Sequence, residues 1–597
     1  MNFKSLFRRK TFTSGIDFND ENPHQGGSIE NLTLDENGTP KMKRVLGVRD
    51  LTFFGIAAII GAGSFSSLGS AVFSGGPGVV ILFVITGIAC TFTALCYSEF
   101  ASRIPVAGSA YTYAYASFGE FFAWIIGWAL IMEYSIGNIY VAFSWSDYFT
   151  SFMSKVGFNI PDFLTCSYME AKKAIDSGST NAELINAWNN APLLGNLRII
   201  LDIPALVINL LVTYLVYRGI KESRNFSNTM VILKLFIVTL VILVGGALIF
   251  SQGLTFNWQP LNSEGVSSFM PEGFGGVMLA VSGVFFAYIG FDAVSVLAEE
   301  SKNPQRDLPR GMIYSLVICT IVYILLSLVL TGAVNYKKFD GVGDPLAFIF
   351  ESENLNLAWM QILVSLCAII AMTSVLLVFQ MGQPRIWMSM SRDGLMPKAF
   401  NRIHPKYKTP SFATIITGTV VGLPILFTDK TFVLDFTSIA TLFAFVLVCG
   451  GVLLLPAKKP EKGKFHLTYI NGQYIFPLIT GVSIFLFALV NTNYFSNLFD
   501  FNFSNHEDFV NGNLSFMDLA TPNISKIIFW VICIALSVVT IVKKYSLIPL
   551  MGVTTCLYLL TSMTKNNWAW FIGWMILGLI FYFAFGYKHS LLAKKRV

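Results

Sequence analysis

Apolar residues run in long blocks along this chain, separated by short polar stretches. Fourteen blocks are long enough to cross a bilayer, which takes roughly 20 apolar residues per helix. They lie at about 50–73, 77–102, 118–149, 199–217, 227–250, 274–298, 311–334, 357–382, 410–428, 431–456, 474–495, 525–543, 545–563 and 567–587. The third is too long for a bilayer alone, so its end from Phe143 is expected to project outward. The longest outer loop, about 150–198, contains Ser167–Trp188, which reads as one short surface helix. Residues 1–49 are polar, lack the apolar core of a signal peptide, and read as a disordered tail. Residues 588–597 form a second, shorter tail.

Two blocks are interrupted at their centres. The first carries Gly61-Ala62-Gly63-Ser64-Phe65. Glycine weakens a helix by about 1 kcal/mol relative to alanine. Backbone groups freed inside lipid cost several kcal/mol unless protein, a cavity or a ligand satisfies them. The second, Gly273–Leu297, carries Gly283 to Asp292 with aromatics and Gly290 in its middle. The two breaks stand five blocks apart. Five is odd, so the second half enters the membrane from the opposite side. Residues 50–250 and 274–456 therefore read as inverted repeats of five helices, with four accessory helices over 474–587. Paired interrupted helices in such repeats point to a transporter's central site. The plainer alternative is a pair of close helix crossings, since small residues let helices approach.

Composition agrees with a polytopic, all-α membrane protein. The 597 residues are 54% hydrophobic and 13% charged, with mean hydropathy +0.61, where soluble domains carry about 25% charge. With the N-terminus inside, 31 of the 41 Lys and Arg residues fall on the cytoplasmic side, nine outside, and Lys234 within a block. That bias places both termini in the cytoplasm. It also accounts for the net charge of +6 without nucleic acid. The eight cysteines form no CxxC or Cys/His cluster. No metal-ligand spacing, phosphate loop or nucleophile–base arrangement is present, so neither an enzyme nor a cofactor is expected.

The breaks carry the candidate chemistry. A helix ending near Ile60, just before Gly61, and restarting near Ser64 would present the amides of Ala62, Gly63 and Ser64 to an anion. Carbonyls near Ile59, and those of Phe286 and Ile289 beside Ala287, would accept from an ammonium. Together they suit a zwitterionic α-amino acid, with Phe286 as an aromatic lid. Lys234, within the fifth block, is either a proton-coupling group or a side chain snorkelling to the interface. Glu133 either lines the substrate path or is a paired or wetted carboxylate. Asp292 either caps its half-helix or pairs with a cytoplasmic base. Glu99 and Arg103 are one turn apart and read as local helix support or a gate.

In these stretches the chain resembles the amino acid–polyamine–organocation superfamily, closest to its cationic amino acid transporter family. The resemblance runs through Leu46–Gly69, Cys96–Gly137, Phe285–Gly311, Thr373–Pro397 and Asp435–Gly450. It implies a leucine-transporter-type fold, alternating access, and amino acid import across the cell membrane, often with a proton. In proton-coupled relatives a lysine of the fifth span stands where a sodium ion sits elsewhere, and Lys234 in Asn228–Lys234 matches it. The resemblance then puts its ammonium on carbonyls near Gly61 and on the hydroxyl of Thr373 or Ser374. Expected partners are an amino acid, a proton and the lipid bilayer, with a small single-span subunit left open. Exchange without proton coupling, or amino acid sensing, are the rival functions. Besides Asp292 no acid falls at either break, so neutral substrates suit the site at least as well as basic ones.

Overall fold

The computed structural model describes residues 8, 45–61, 63–104, 109–176, 178, 181–195, 197–219, 224–262, 265–407, 409–455, 464–490, 492–502 and 515–594. Ala62, nearly all of the N-terminal tail and the last residues of the C-terminal tail lie outside them. The described chain is almost wholly helical, and its strand content is a two-residue hairpin pair, Leu193–Leu194 with Leu197–Arg198. Among the described residues, nine helical stretches are long and apolar enough to cross a membrane, and four shorter helices are also apolar.

The first block is α1 (Val48–Ile59), a short π-helical run Gly63–Ser67, and α2 (Leu68–Gly75). Asp50 caps α1 by accepting the Gly47 amide at 3.0 Å. Beyond Gly76 (φ +59°), where a left-handed turn is needed, the chain returns as α3 (Val79–Arg103). A short helix α4 (Ser109–Ser117) leads to α5 (Glu120–Lys155), a single helix of 36 residues. At about 1.5 Å per residue α5 exceeds the bilayer thickness.

The loop after α5 holds two helices, not one: α6 (Tyr168–Asp176) and α7 (Ala182–Asn190). Gly178 takes φ +64°, and Asn181 caps α7 by accepting from the amides of Glu183 and Leu184. A left-handed residue followed by an N-cap divides Ser167–Trp188 in two. The helices cover a small core of Cys166, Ala171, Ala187, Ala191 and Ile200.

The chain continues through α8 (Ile203–Arg218) and α9 (Arg224–Ser251) to the second interrupted block. That block is α10 (Gly273–Leu279), α11 (Val281–Tyr288) and a 3-10 segment Asp292–Glu300. Then follow α12 (Pro304–Ala333), a single turn α13 (Pro345–Phe348), α14 (Ala358–Arg392), α15 (Ser411–Ile425) and α16 (Lys430–Leu453). Four further helices, Ile475–Val490, Phe516–Lys543, Leu547–Leu560 and Lys565–Phe581, complete the apolar set.

The packing forms two groups around the breaks. Helix α5 lies along α14 and α16, while α12 packs on α3, α1 and α9. Buried amides tie α5, α8 and α14: Asn138 donates to Gln380 Oε1 at 2.9 Å, and Gln380 donates to Thr213 Oγ1 at 2.7 Å. Such bonds hold helices together where lipid supplies no hydrophobic drive. The helix Lys565–Phe581 docks on α5 through stacked indoles. Trp124 and Trp128 donate to the Gly578 and Trp574 carbonyls, both at 2.9 Å.

Candidate functional site

The two breaks meet at the centre of the molecule. Helix α1 stops at Ile59, and Ile60 is extended (φ −77°, ψ 91°). In the partner block Ile289 is extended and Gly290 has φ +118°, a conformation that favours glycine. The crossing is close at both points. A Cβ on Gly63 would lie 2.6 Å from Ala287 Cα, and one on Gly290 would lie 3.0 Å from the Ala58 carbonyl carbon. A Cβ on Gly61 would strike Val375 Cγ2 at 2.4 Å. The glycines therefore serve close helix crossing as well as weakening the helix.

Between the breaks is a cavity of about 10 Å³, lined by Ala58, Ile59, Gly63, Val141, Phe286, Ile289, Val375 and Phe379. That is room for about one water. Its walls are apolar apart from backbone. Phe286 packs edge-on to Tyr140 with ring centroids 4.5 Å apart, and Phe379 packs edge-on to Tyr134 at 5.6 Å. Four of the expected residues, Ile59, Gly63, Phe286 and Ile289, line the cavity. Ala287 stands behind Gly63, and Ala62 lies outside the described residues.

Some of the backbone groups expected to be free at the breaks are engaged within the protein. The Ser64 amide donates to Gly61 O at 3.1 Å, as do the Phe65 amide at 3.0 Å and Ser64 Oγ at 3.1 Å. The Ile59 carbonyl accepts the Tyr323 hydroxyl at 2.8 Å, and Phe286 O accepts the Ile289 amide at 3.1 Å. In a closed, nearly dry interior an unpaired backbone group is costly, so the chain's own hydroxyls and amides fill these positions. The Ile59 and Phe286 carbonyls, each accepting one of these bonds, have a second lone pair.

Tyrosines and serines brace the breaks. Tyr148 donates to Phe65 O at 2.6 Å, and Tyr288 to Phe83 O at 2.7 Å. Ser67 Oγ contacts both Gly63 O (2.9 Å) and Gly283 O (3.0 Å), joining the two broken blocks. Tyr140 reaches Ser66 Oγ at 3.4 Å. These braces, and the lining residues Val141, Val375 and Phe379, escape a reading centred on glycines. Their one signal is spacing, since Val375 and Phe379 stand a single turn apart on α14.

Lys234 is 2% exposed on α9, and its ammonium donates to Ala57 O at 3.0 Å, one turn before the break. The side chain points into the protein, which removes the snorkelling alternative. Gly61 O is occupied by the local amides. Thr373 Oγ1 accepts the Trp145 indole N–H at 2.9 Å and donates to Ile369 O, while Ser374 Oγ returns to Ala371 O. The ammonium thus reaches a carbonyl of α1 close before Gly61, and Thr373 serves α5.

Glu133 and Asp292 are both buried, and the charge of Asp292 acts on Glu133. Asp292 opens the 3-10 segment beside the amides of Gly290 and Ala293, the position of a cap. Glu99 does more than support its own helix. Besides Arg103 at 2.6 Å, it accepts the Leu467 amide at 2.7 Å and tethers the loop after α16 to the end of α3.

A cluster of charges joins α16, α5 and α6. Lys430, at the start of α16, pairs with Asp147 of α5 and lies 5.6 Å from the centre of the Tyr140 ring. Glu170 of α6 accepts the Lys430 amide at 3.2 Å. Burial, assisted by Asp147, pushes the Glu170 carboxyl from 4.5 up to about 7. Burial likewise pushes Asp344, which accepts from Ser151 at 2.8 Å, from 3.8 to about 7.

Comparison with known proteins agrees with this architecture. The profile of the amino acid permease family matches residues 46–506. The chain is 42% identical over 434 residues to the branched-chain amino acid permease BcaP of Bacillus subtilis, covering 73% of this chain and 85% of that one. It is 37% identical over 472 residues to the methylthioribose transporter of the same organism, covering 78% and 93%. It is 34% identical over 458 residues to the vacuolar cationic amino acid transporter 4 of Arabidopsis thaliana, covering 76% and 68%. The chain belongs to the amino acid permease family of the amino acid–polyamine–organocation superfamily, alongside the cationic amino acid transporters.

Proposed function

We propose that this amino acid permease imports a neutral amino acid with an apolar side chain across the cell membrane, together with a proton, by alternating access. The carrying observation is the apolar wall between the two breaks, formed by Val141, Phe286, Ile289, Val375 and Phe379. The amides ahead of Ser64 at the start of the second half-helix suit the substrate carboxylate. The second lone pairs of the Ile59 and Phe286 carbonyls suit its ammonium. The cavity of about 10 Å³ is too small for any amino acid, so binding needs the broken helices to move outward from α5 and α14. The name of the branched-chain permease, and its 42% identity, support aliphatic side chains.

The reading carries its topology with it. Fourteen spans, cytoplasmic termini, inverted repeats at 50–250 and 274–456, and accessory helices at 474–587 follow from the apolar blocks and the charge bias. Lys234 is the coupling group. Its ammonium holds the end of α1 through Ala57 O, and loss of its proton would release that end. A competition panel tests the substrate class. Leucine, isoleucine and valine should displace labelled substrate, and arginine and lysine should not. Displacement by the basic amino acids alone would reject the apolar reading. Methylthioribose belongs in the panel because of the second relative, and the apolar wall would accept its methylthio group.

A further inference from the structure

The two ends of the chain meet at the start of α5, in a junction that serves no step above. Glu120, the first residue of α5, is fully buried. Its carboxylate accepts three hydroxyls, from Tyr115 at 3.1 Å, Tyr582 at 3.1 Å and Ser590 at 2.5 Å. Its amide donates to Arg8 O at 2.9 Å. Three donors and a helix N-terminus let a buried carboxylate keep its charge. The C-terminal segment is held a second time. The Leu591 amide donates to Asp393 O at 3.1 Å, and the His589 carbonyl lies so close to Gly394 that a Cβ there would approach it to 2.4 Å. Arg8 completes the junction over the Tyr587 ring, 5.9 Å from its centre.

The segments fixed there are basic. Residues 1–10 carry Lys4, Arg8, Arg9 and Lys10, and residues 588–597 carry Lys588, Lys594, Lys595 and Arg596, with no acid in either stretch. The acids of the junction are occupied, Glu120 by its hydroxyls and Asp393 by the Tyr111 hydroxyl at 2.8 Å. Arg8 Nη1 is buried with no hydrogen-bond partner among the described residues, a donor open to an anion. Lys588 and His589 are exposed, and so are Phe583 (39%) and Leu591 (46%) of the same stretch. Basic and apolar side chains together suit a headgroup layer, which takes charge at its phosphates and rings at its acyl boundary. We propose that the two tails join on Glu120 into one surface that binds anionic phospholipid headgroups beside the start of α5. Each Lys or Arg near a charged leaflet is worth roughly fivefold in binding, and salt weakens it. The inference depends neither on the substrate nor on Lys234.

Native mass spectrometry of the purified full-length protein, offered phosphatidylglycerol and phosphatidylcholine in equal amounts, tests it. The wild type should retain the anionic lipid at least about tenfold over the neutral one, and less so at high ionic strength. R8A/R9A/K10A and K594A/K595A/R596A should each lose most of that preference. Because the two segments make one surface, the variant with all six substitutions should lose less than the product of the two separate losses. Equal retention of the two lipids by the wild type would overturn the proposal, as would a preference that survives all six substitutions. A combined loss equal to the product would show two independent patches and overturn the joint surface. Displacement of the lipid by an equal concentration of inorganic phosphate would show a free-anion site instead. Lipid retention is read without transport, so its outcome stands apart from that of any uptake experiment.

Discussion

At the scale of single residues, Gly63 decides most. Its two sequence-level readings, substrate site and close helix crossing, turn out to be compatible. The ring of contacts at Ala287 leaves no room for a side chain, and the same closeness brings the broken ends together. G63A should cost about 1–3 kcal/mol by overpacking, seen as a lower thermal midpoint, and should abolish most uptake. An uptake rate equal to wild type would mean the crossing tolerates a methyl group. Tyr323 was invisible in the sequence as a site residue because nothing in its own segment marks it. Y323F removes the hydroxyl that satisfies Ile59 O and should destabilise the protein by about 1 kcal/mol without changing the ranking of substrates in competition. A reordered ranking would move Tyr323 from brace to specificity determinant.

At the scale of elements, interrupted helices were legible because glycine and aromatic residues stand out inside apolar blocks. The loop after α5 was less so: Ser167–Trp188 has helical composition throughout, and only Gly178 with Asn181 divides it. That loop carries a pH response. Glu170 titrates near 7 in the folded protein against 4.5 ordinarily. The folded state binds its proton more tightly, so the contribution to loop stability is complete below 4.5 and lost as pH rises through about 7, up to ~3 kcal/mol. Hydrogen exchange over 168–176, corrected for intrinsic rates, should therefore show protection falling across that window. E170Q should flatten the change, and an unaltered profile would remove Glu170 as its cause. The docking of Lys565–Phe581 on α5 was likewise illegible, since it depends on Trp124 and Trp128 meeting residues some 450 positions away. W128A should lower the thermal midpoint by the equivalent of about 3–5 kcal/mol. A shift of less than about 1 kcal/mol would show that the helix is held elsewhere.

At the scale of the whole molecule, block lengths and the placement of Lys and Arg were enough to anticipate a polytopic helical protein. The partners of individual polar groups were not foreseeable. The ammonium of Lys234 was expected on carbonyls near Gly61 and on Thr373 or Ser374; it donates to Ala57 O of α1, while Thr373 accepts from Trp145 of α5. Free amides and carbonyls were expected at the breaks, and tertiary hydroxyls occupy several of them. Sequence shows where a helix must fail; only packing shows what satisfies it. The central claim is that protonation and deprotonation of Lys234 drive uptake, the ammonium holding the end of α1 and loss of its proton loosening that end. Uptake of labelled leucine into proteoliposomes, with and without an inward proton gradient, tests it in wild type and K234A. The account predicts gradient-stimulated accumulation in the wild type and none in K234A, which should retain at most gradient-independent equilibration. Accumulation by K234A equal to wild type, or wild-type uptake indifferent to the gradient, would contradict it.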